Sequence, residues 1–164
     1  GLVLIAKNKY AAAKYSTLMQ KEGGFNKQYE ALICGKPSEP KGTFVDYLKK
    51  DGRTNTSAIV PADAAANDKE AKLSKLEYEV ISYDEVKDIT HVRIHLITGR
   101  HHQIRVQFAS RRHPLVGDYK YATADCGMDN AVKAVAFKRN QIALCAVSLT
   151  VDNKTYSVAP EFLL

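Results

Sequence analysis

The chain has 164 residues, which is the length of one domain with a core of useful size. Its 24 lysines and arginines outnumber its 18 aspartates and glutamates, giving a net charge of +6 that favours a polyanionic partner. No apolar run approaches the roughly 20 residues of a transmembrane helix, which excludes a membrane-spanning protein. The apolar start at residues 1–6 is also too short for a signal peptide.

Three cysteines, Cys34, Cys126 and Cys145, lie far apart and form no C-x-x-C pair. This spacing predicts neither a disulfide framework nor a structural zinc site, and it favours a reducing, cytoplasmic compartment. A cysteine hydrolase using Cys34 or Cys126 with one of the five histidines is an alternative, although neither cysteine has a recognised nucleophile context.

The first third of the chain predicts a strand, a helix and a second strand. Residues 2–6 form an apolar run typical of a buried strand, and Asn8 can cap a helix that ends at Gly23 and Gly24. Residues 28–35 form the second strand, with Tyr29 on the same face as Ala31 and with both faces covered. Residues 36–74 contain many prolines and glycines, so we expect a peripheral, mobile region there.

The rest of the chain alternates between strands and one helix. Apolar residues alternate with polar ones around residues 76–80 and 92–96, which predicts an antiparallel hairpin. Residues 100–110 have helical spacing, and residues 142–151 and 156–159 predict a last strand pair that turns at Asp152 and Asn153. The class is therefore α+β, a mixed and mainly antiparallel sheet with a few helices in a single domain spanning residues 1–164.

Cations are crowded at the predicted start of the helix over residues 100–110. Arg100, His101, His102 and Arg105 fall in its first turns, where the helix dipole disfavours positive charge. Three explanations stay open: a carboxylate of this protein, a phosphate of a ligand, or a helix start misplaced by one turn. Further basic residues with interleaved tyrosines follow, as expected of a phosphate-binding surface or of an ordinary solvated face: Arg111, Arg112, His113, Lys120, Lys133, Lys138 and Arg139.

The segment T-G-R-x-H-Q-I-R-V at residues 98–106, followed by H-P-L-V-G-D-x-x-Y at residues 113–121, resembles the RluA-type family of RNA pseudouridine synthases. The segments at residues 1–8, 27–32 and 142–146 also resemble family motifs, in the expected order. The resemblance implies that uridines in ribosomal or transfer RNA are isomerised to pseudouridine without a metal or other cofactor. It also implies a base flipped out of the RNA stack, because the reacting bond is otherwise hidden.

The resemblance assigns roles to individual residues. Arg100 would hold the catalytic aspartate, Tyr29 would pack against the base, and Leu144 would line the pocket, although core packing also explains Leu144. The remaining candidates would position the helix or contact RNA: His102, Gln103, Arg105, Lys7, Arg112 and Lys120.

The family's nucleophilic aspartate lies in an H-R-L-D-x-x-[ST]-S-G motif whose last glycine matches Gly1. Asp118 belongs to a different motif, in which we expect it to fix a loop. We therefore expect residues upstream of Gly1 to be missing, and this chain as given to be inactive. The alternative is a non-catalytic RNA-binding domain. A metal site at His91 and His95, four residues apart on one strand face, is also conceivable, but we expect solvent-facing histidines there.

Overall fold

A computed structural model describes residues 1–20, 24–135 and 141–162. This part of the chain contains four helices and one seven-stranded sheet, which confirms the α+β class. In chain order the elements are α1 (Lys9–Gln20), β1 (Asn26–Cys34), β2 (Lys41–Asp51), β3 (Thr56–Val60), α2 (Ala62–Ala65), β4 (Lys72–Asp84), β5 (Ile89–Leu96), α3 (Gln103–Ala109), α4 (Met128–Ala134), β6 (Leu144–Val151) and β7 (Lys154–Ser157). No helix in the described ranges is long and apolar enough to cross a membrane.

The strands follow the order β3-β2-β4-β5-β1-β6-β7, and every neighbouring pair is antiparallel. Strand β1 is near the centre, and alternate residues point to opposite faces. Ala31 and Ile33 share an apolar cluster with Phe108 of α3. Leu32 shares a second cluster with Met128 of α4. Both faces of β1 are thus covered, as predicted.

The predicted strand at residues 2–6 is wrong. This segment has no regular secondary structure and is joined to the sheet by a hydrogen bond from the Leu2 N–H to the Ala146 oxygen, 2.9 Å long. Val3 and Ile5 are 80% and 79% exposed. Strand β7 pairs only with residues 148–151 of β6, so the contact at Ala146 lies beyond the end of that pairing, and it does not continue as a strand ladder.

Helix α1 begins where the sequence predicts. The Ala11 N–H donates to Asn8 Oδ1 at 2.8 Å, which satisfies one of the unpaired amides of the first turn. The Tyr15 hydroxyl donates to an Asp152 carboxylate oxygen at 2.5 Å and ties the helix to the turn between β6 and β7. Gly23, the predicted end of this helix, lies outside the described residues.

Residues 36–74 contain two strands that the sequence pattern did not predict. Strand β2 pairs with β4, and β3 forms the edge of the sheet. The pattern was weak because just one residue of β2, Leu48, is fully buried. Gly42 does not interrupt the strand. It lies so close to Tyr78 that a Cβ there would be 2.9 Å from the Tyr78 ring. Mobility of this region stays a prediction.

The hairpins β4–β5 and β6–β7 confirm the predicted strand pairs. Helix α3 begins at Gln103 rather than at residue 100, and its N-cap residue His102 has a left-handed backbone with φ of 52°. Arg100 and His101 therefore precede the helix, so the misplaced helix start was part of the explanation for the crowded cations.

Candidate active site

Tyr29 lies on the face of β1 that packs against α3. It pairs with Ile94 of β5 and Ala146 of β6, and its half-buried ring contacts the same apolar cluster as Leu144. Burial raises the pKa of the Tyr29 phenol, which therefore stays protonated at neutral pH. The structure thus places Tyr29 and Leu144, the two residues that the resemblance assigns to the base and its pocket, against one apolar cluster.

The loop that carries Arg100 is fixed by Gln103. The side-chain oxygen of Gln103 accepts hydrogen bonds from the Arg100 N–H and the Thr98 hydroxyl, both 2.9 Å long, and its amide donates to the Lys75 oxygen at 3.1 Å. Gln103 is 2% exposed. This geometry supports a positioning role for Gln103 rather than contact with RNA.

The Arg100 guanidinium is held at one end. Its Nε donates to the Leu73 carbonyl oxygen at 3.0 Å. Among residues 1–20, 24–135 and 141–162, no carboxylate forms an ion pair with Arg100. Its two terminal nitrogens are therefore available to a carboxylate, which a guanidinium binds through paired hydrogen bonds.

A cavity of about 230 Å³ opens beside Tyr29. It is lined by Lys27, Tyr29 and Ala146 together with apolar side chains, among them those of residues 2–4. A Cβ on Gly99 would lie 3.2 Å from Lys27 Nζ. Gly99 precedes Arg100, so the Arg100 loop lies against the strand that carries Lys27 and Tyr29. The sequence placed Lys27 in a motif but assigned it no role.

Arg105 is paired inside the protein. Its Nε and Nη2 donate to the two oxygens of Asp118 at 2.6 and 2.7 Å, and the Asp118 side chain is 1% exposed. The bonds to Asp118 raise the pKa of Arg105. Asp118 is thus the internal carboxylate that the crowded cations suggested, and it fixes the turn as expected.

His102 is a neutral hydrogen-bonding link. Arg105 Nη1 donates to His102 Nε2 at 3.0 Å, and His102 Nδ1 lies 2.8 Å from the Tyr121 hydroxyl. Because a guanidinium can only donate, Nε2 carries the lone pair and Nδ1 carries the proton that is donated to Tyr121. Burial first, and then the charge of Arg105, lower the pKa of His102 to about 4.

The same network reaches strand β3. The Ser57 hydroxyl donates to the His101 carbonyl oxygen at 2.9 Å, and the Ser57 N–H donates to the Tyr121 hydroxyl at 2.9 Å. The rings of His101 and His102 stack with centroids 3.8 Å apart. Sequence reasoning missed Ser57, because nothing local marks a serine 44 positions away as a partner of His101.

The remaining RNA-contact candidates are on the surface. Lys7 is exposed in the segment before α1. Arg112 is 79% exposed and donates to an Asp125 oxygen at 2.6 Å, and Lys120 Nζ donates to the Asn55 oxygen at 3.0 Å. Lys138 and Arg139 lie outside the described residues.

The structure bears on two other chemistries, a nucleophile at Cys34 and a metal site at His91 and His95. Burial, followed by the nearby Cys126, raises the pKa of Cys34 to about 12, so this thiol is a poor nucleophile. His91 is not solvent-facing as expected, because its Nε2 lies 3.0 Å from a Glu30 oxygen and its side chain is 13% exposed. Within the described residues, no group of three or more His, Cys, Asp or Glu side chains could hold a metal ion.

Comparison with known proteins places this chain in a family. A family model described as RNA pseudouridylate synthase matches residues 1–110. An uncharacterized RNA pseudouridine synthase of Chlorobaculum parvum is 31% identical over 147 residues, which is 88% of this chain and 42% of that protein. The ribosomal large subunit pseudouridine synthase D of Vibrio vulnificus is 30% identical over 165 residues, or 99% of this chain and 47% of that protein.

The fold has solved counterparts as well. The structure of human RNA pseudouridylate synthase domain containing 1 superimposes with a TM-score of 0.68 at 23% identity, covering 94% of this chain and 62% of that one. The chain spans less than half of the length of the curated relatives named above. From the matched model and these relatives, the chain belongs to the RNA pseudouridylate synthase family.

Proposed function

We propose that this chain supplies the larger part of the catalytic domain of an RNA pseudouridine synthase of the RluA type. The observation that carries the proposal is the arrangement of Tyr29, Leu144 and the Arg100 loop around one face of the sheet, beside α3. The substrate is a uridine in structured RNA, ribosomal or transfer RNA, and the compartment is the cytoplasm. The net charge of +6 supports a polyanionic partner.

The reaction breaks the bond between the ribose C1′ and the uracil N1 and forms one between C1′ and the uracil C5. The hydrogen on C5 leaves to solvent, and N1 gains one, so the product is an isomer. The protonated Tyr29 ring offers a flat surface for the extruded base, and Leu144 closes the apolar side of the pocket. Arg100 orients an aspartate through its two terminal nitrogens.

The scheme needs an aspartate, which the resemblance assigns to a position ahead of Gly1. The family motif places it before the glycine that Gly1 matches, and Gly1 packs against β6, where a Cβ on it would lie 2.7 Å from the Ala146 nitrogen. Ala146 is the partner of Tyr29 in the sheet. A short segment entering at Gly1 therefore approaches the Tyr29 side of the pocket.

The test is tritium release from ribosomal and transfer RNA transcripts labelled at C5 of uridine. The chain as given is compared with a version that carries the family's H-R-L-D segment ahead of Gly1. We expect release by the extended chain and none by the chain as given. Release by neither would overturn the proposed activity and leave RNA binding without catalysis. Release by the chain as given would overturn the assignment of the aspartate.

A further inference from the structure

Lys27 lines the Tyr29 cavity and has no carboxylate partner among the described residues. Its side chain lines that cavity from β1, two residues before Tyr29 and therefore on the same face of the strand. Within the described ranges, no carboxylate forms an ion pair with Lys27, and its ammonium donates no hydrogen bond to a protein acceptor. Many other cations of this chain are paired, as Arg105 is with Asp118.

The surroundings of Lys27 are partly apolar. The residue is half-buried, and its ammonium lies over the Phe25 ring, 5.3 Å from the centroid. Burial lowers the pKa of Lys27, in keeping with a charge that has lost water and gained no carboxylate. An ammonium in this position gains most from an anion that enters the cavity from outside.

The backbone at Gly99 leaves room for the Lys27 ammonium. A Cβ at Gly99 would lie 3.2 Å from Lys27 Nζ, so a side chain there would crowd the ammonium. Gly99 immediately precedes Arg100, so the loop that carries this second cation approaches Lys27. Two residues of a strand span about 7 Å. That span is of the same order as the separation between a nucleotide's base and its own phosphate.

We propose that the ammonium of Lys27 binds a backbone phosphate next to the uridine whose base stacks on Tyr29. This inference rests on the proposed function and names the part of the RNA that this edge of the site holds. Lys27 is a substrate-positioning residue in this scheme, because it fixes the nucleotide without touching the reacting C1′, N1 or C5 atoms.

The experiment measures the dissociation constant of this chain for a fluorescent stem-loop RNA with a uridine-containing loop, between about 50 and 200 mM KCl. Each phosphate contact to single-stranded RNA contributes about 0.7 to the slope of log Kd against log salt. We expect Lys27→Gln to weaken binding roughly threefold to tenfold and to reduce the slope by about 0.7 to 1. Lys27→Arg should restore the slope.

The matched control is Lys41→Gln. Lys41 is exposed and lines a cavity on a different part of the sheet, so its loss removes the same charge without touching the Tyr29 cavity. Gly99→Ala is an independent variant that leaves all charges in place and should weaken binding by displacing the ammonium. Thermal unfolding confirms that each variant is folded.

Three outcomes would contradict the inference, and they distinguish its failure from that of the proposed function. Wild-type binding with an unchanged slope for Lys27→Gln would overturn the phosphate contact alone. Equal losses for Lys27→Gln and Lys41→Gln would also overturn it, because they would indicate a general charge effect. Absence of RNA binding by the wild-type chain would overturn the proposed RNA partner together with the contact.

Discussion

Asp118 is a charge buried almost completely, and Arg105 is the group that neutralises it. Arg105→Leu leaves this carboxylate without its cation, so we expect the free energy of unfolding to fall by about 3 to 5 kcal/mol in urea denaturation. Arg112→Leu is the matched control. Its partner Asp125 is exposed, so its loss should cost less than about 1 kcal/mol. Equal losses would show that the buried pair has no special role.

His102 makes stability depend on pH. Its pKa is about 4 in the folded protein, against an ordinary value of 6.5. Between these values the unfolded chain binds a proton and the folded chain does not, so stability is fully present above pH 6.5 and is lost as the pH falls towards 4. A protonated Nε2 would also face the Arg105 guanidinium.

Denaturation series at several pH values measure this effect. We expect His102→Gln to flatten the fall in stability across that interval. A wild-type profile in the His102→Gln variant would assign the pH dependence to other groups.

At the level of elements, the turn after Val116 depends on Gly117. Its backbone has a φ of 85°, and a Cβ there would overlap the Gln141 carbonyl oxygen. Gly117→Ala therefore combines backbone strain with a clash against main chain, and we expect a loss of about 2 to 4 kcal/mol in urea denaturation.

Gly52→Ala is the control for this substitution. Gly52 has open space around its Cβ position and no positive φ, so alanine there should change stability by less than about 1 kcal/mol. A Gly117→Ala variant as stable as the control would contradict the close approach of the two segments.

Elements with a buried face were predictable, and those without one were not. The alternation of Leu76, Tyr78 and Val80 revealed the β4–β5 hairpin because one face is buried. The sequence pattern did not predict strand β2, because its side chains are mostly half-exposed. Its backbone is nevertheless paired on both edges, with β3 and β4. Segment 2–6 misled in the opposite sense, since its apolar run predicts a buried strand whereas Val3 and Ile5 are exposed and in no strand.

The candidate site also contains residues that the sequence predicts and residues that it does not. Tyr29, Arg100 and Leu144 were found through motifs, which preserve residue identity and order along the chain. The neighbours that hold this site in place were not predicted. Leu73 binds Arg100 through its backbone oxygen, and Gly99 lies close to Lys27 because it has no side chain. Contacts of these two kinds leave little trace in local sequence.

In the whole molecule, the sheet separates two apolar clusters, one packed against α3 and the other against α4. The face with α3 carries the Tyr29 pocket, and the face with α4 is bound by the second apolar cluster. The loops at residues 98–102 and 117–121 are linked to β3 by the Ser57, His102 and Tyr121 network. The loop that carries Arg100 is therefore anchored to the β3 edge of the sheet rather than by its local sequence alone.

The most direct test of the central claim is tritium release by the chain extended with the H-R-L-D segment, measured for wild type and Arg100→Ala alongside RNA affinity. We predict that Arg100→Ala lowers turnover by about 100-fold or more, because the aspartate loses its orienting partner, while the dissociation constant for RNA changes less than about threefold. Turnover close to wild type in Arg100→Ala would contradict the account of this site.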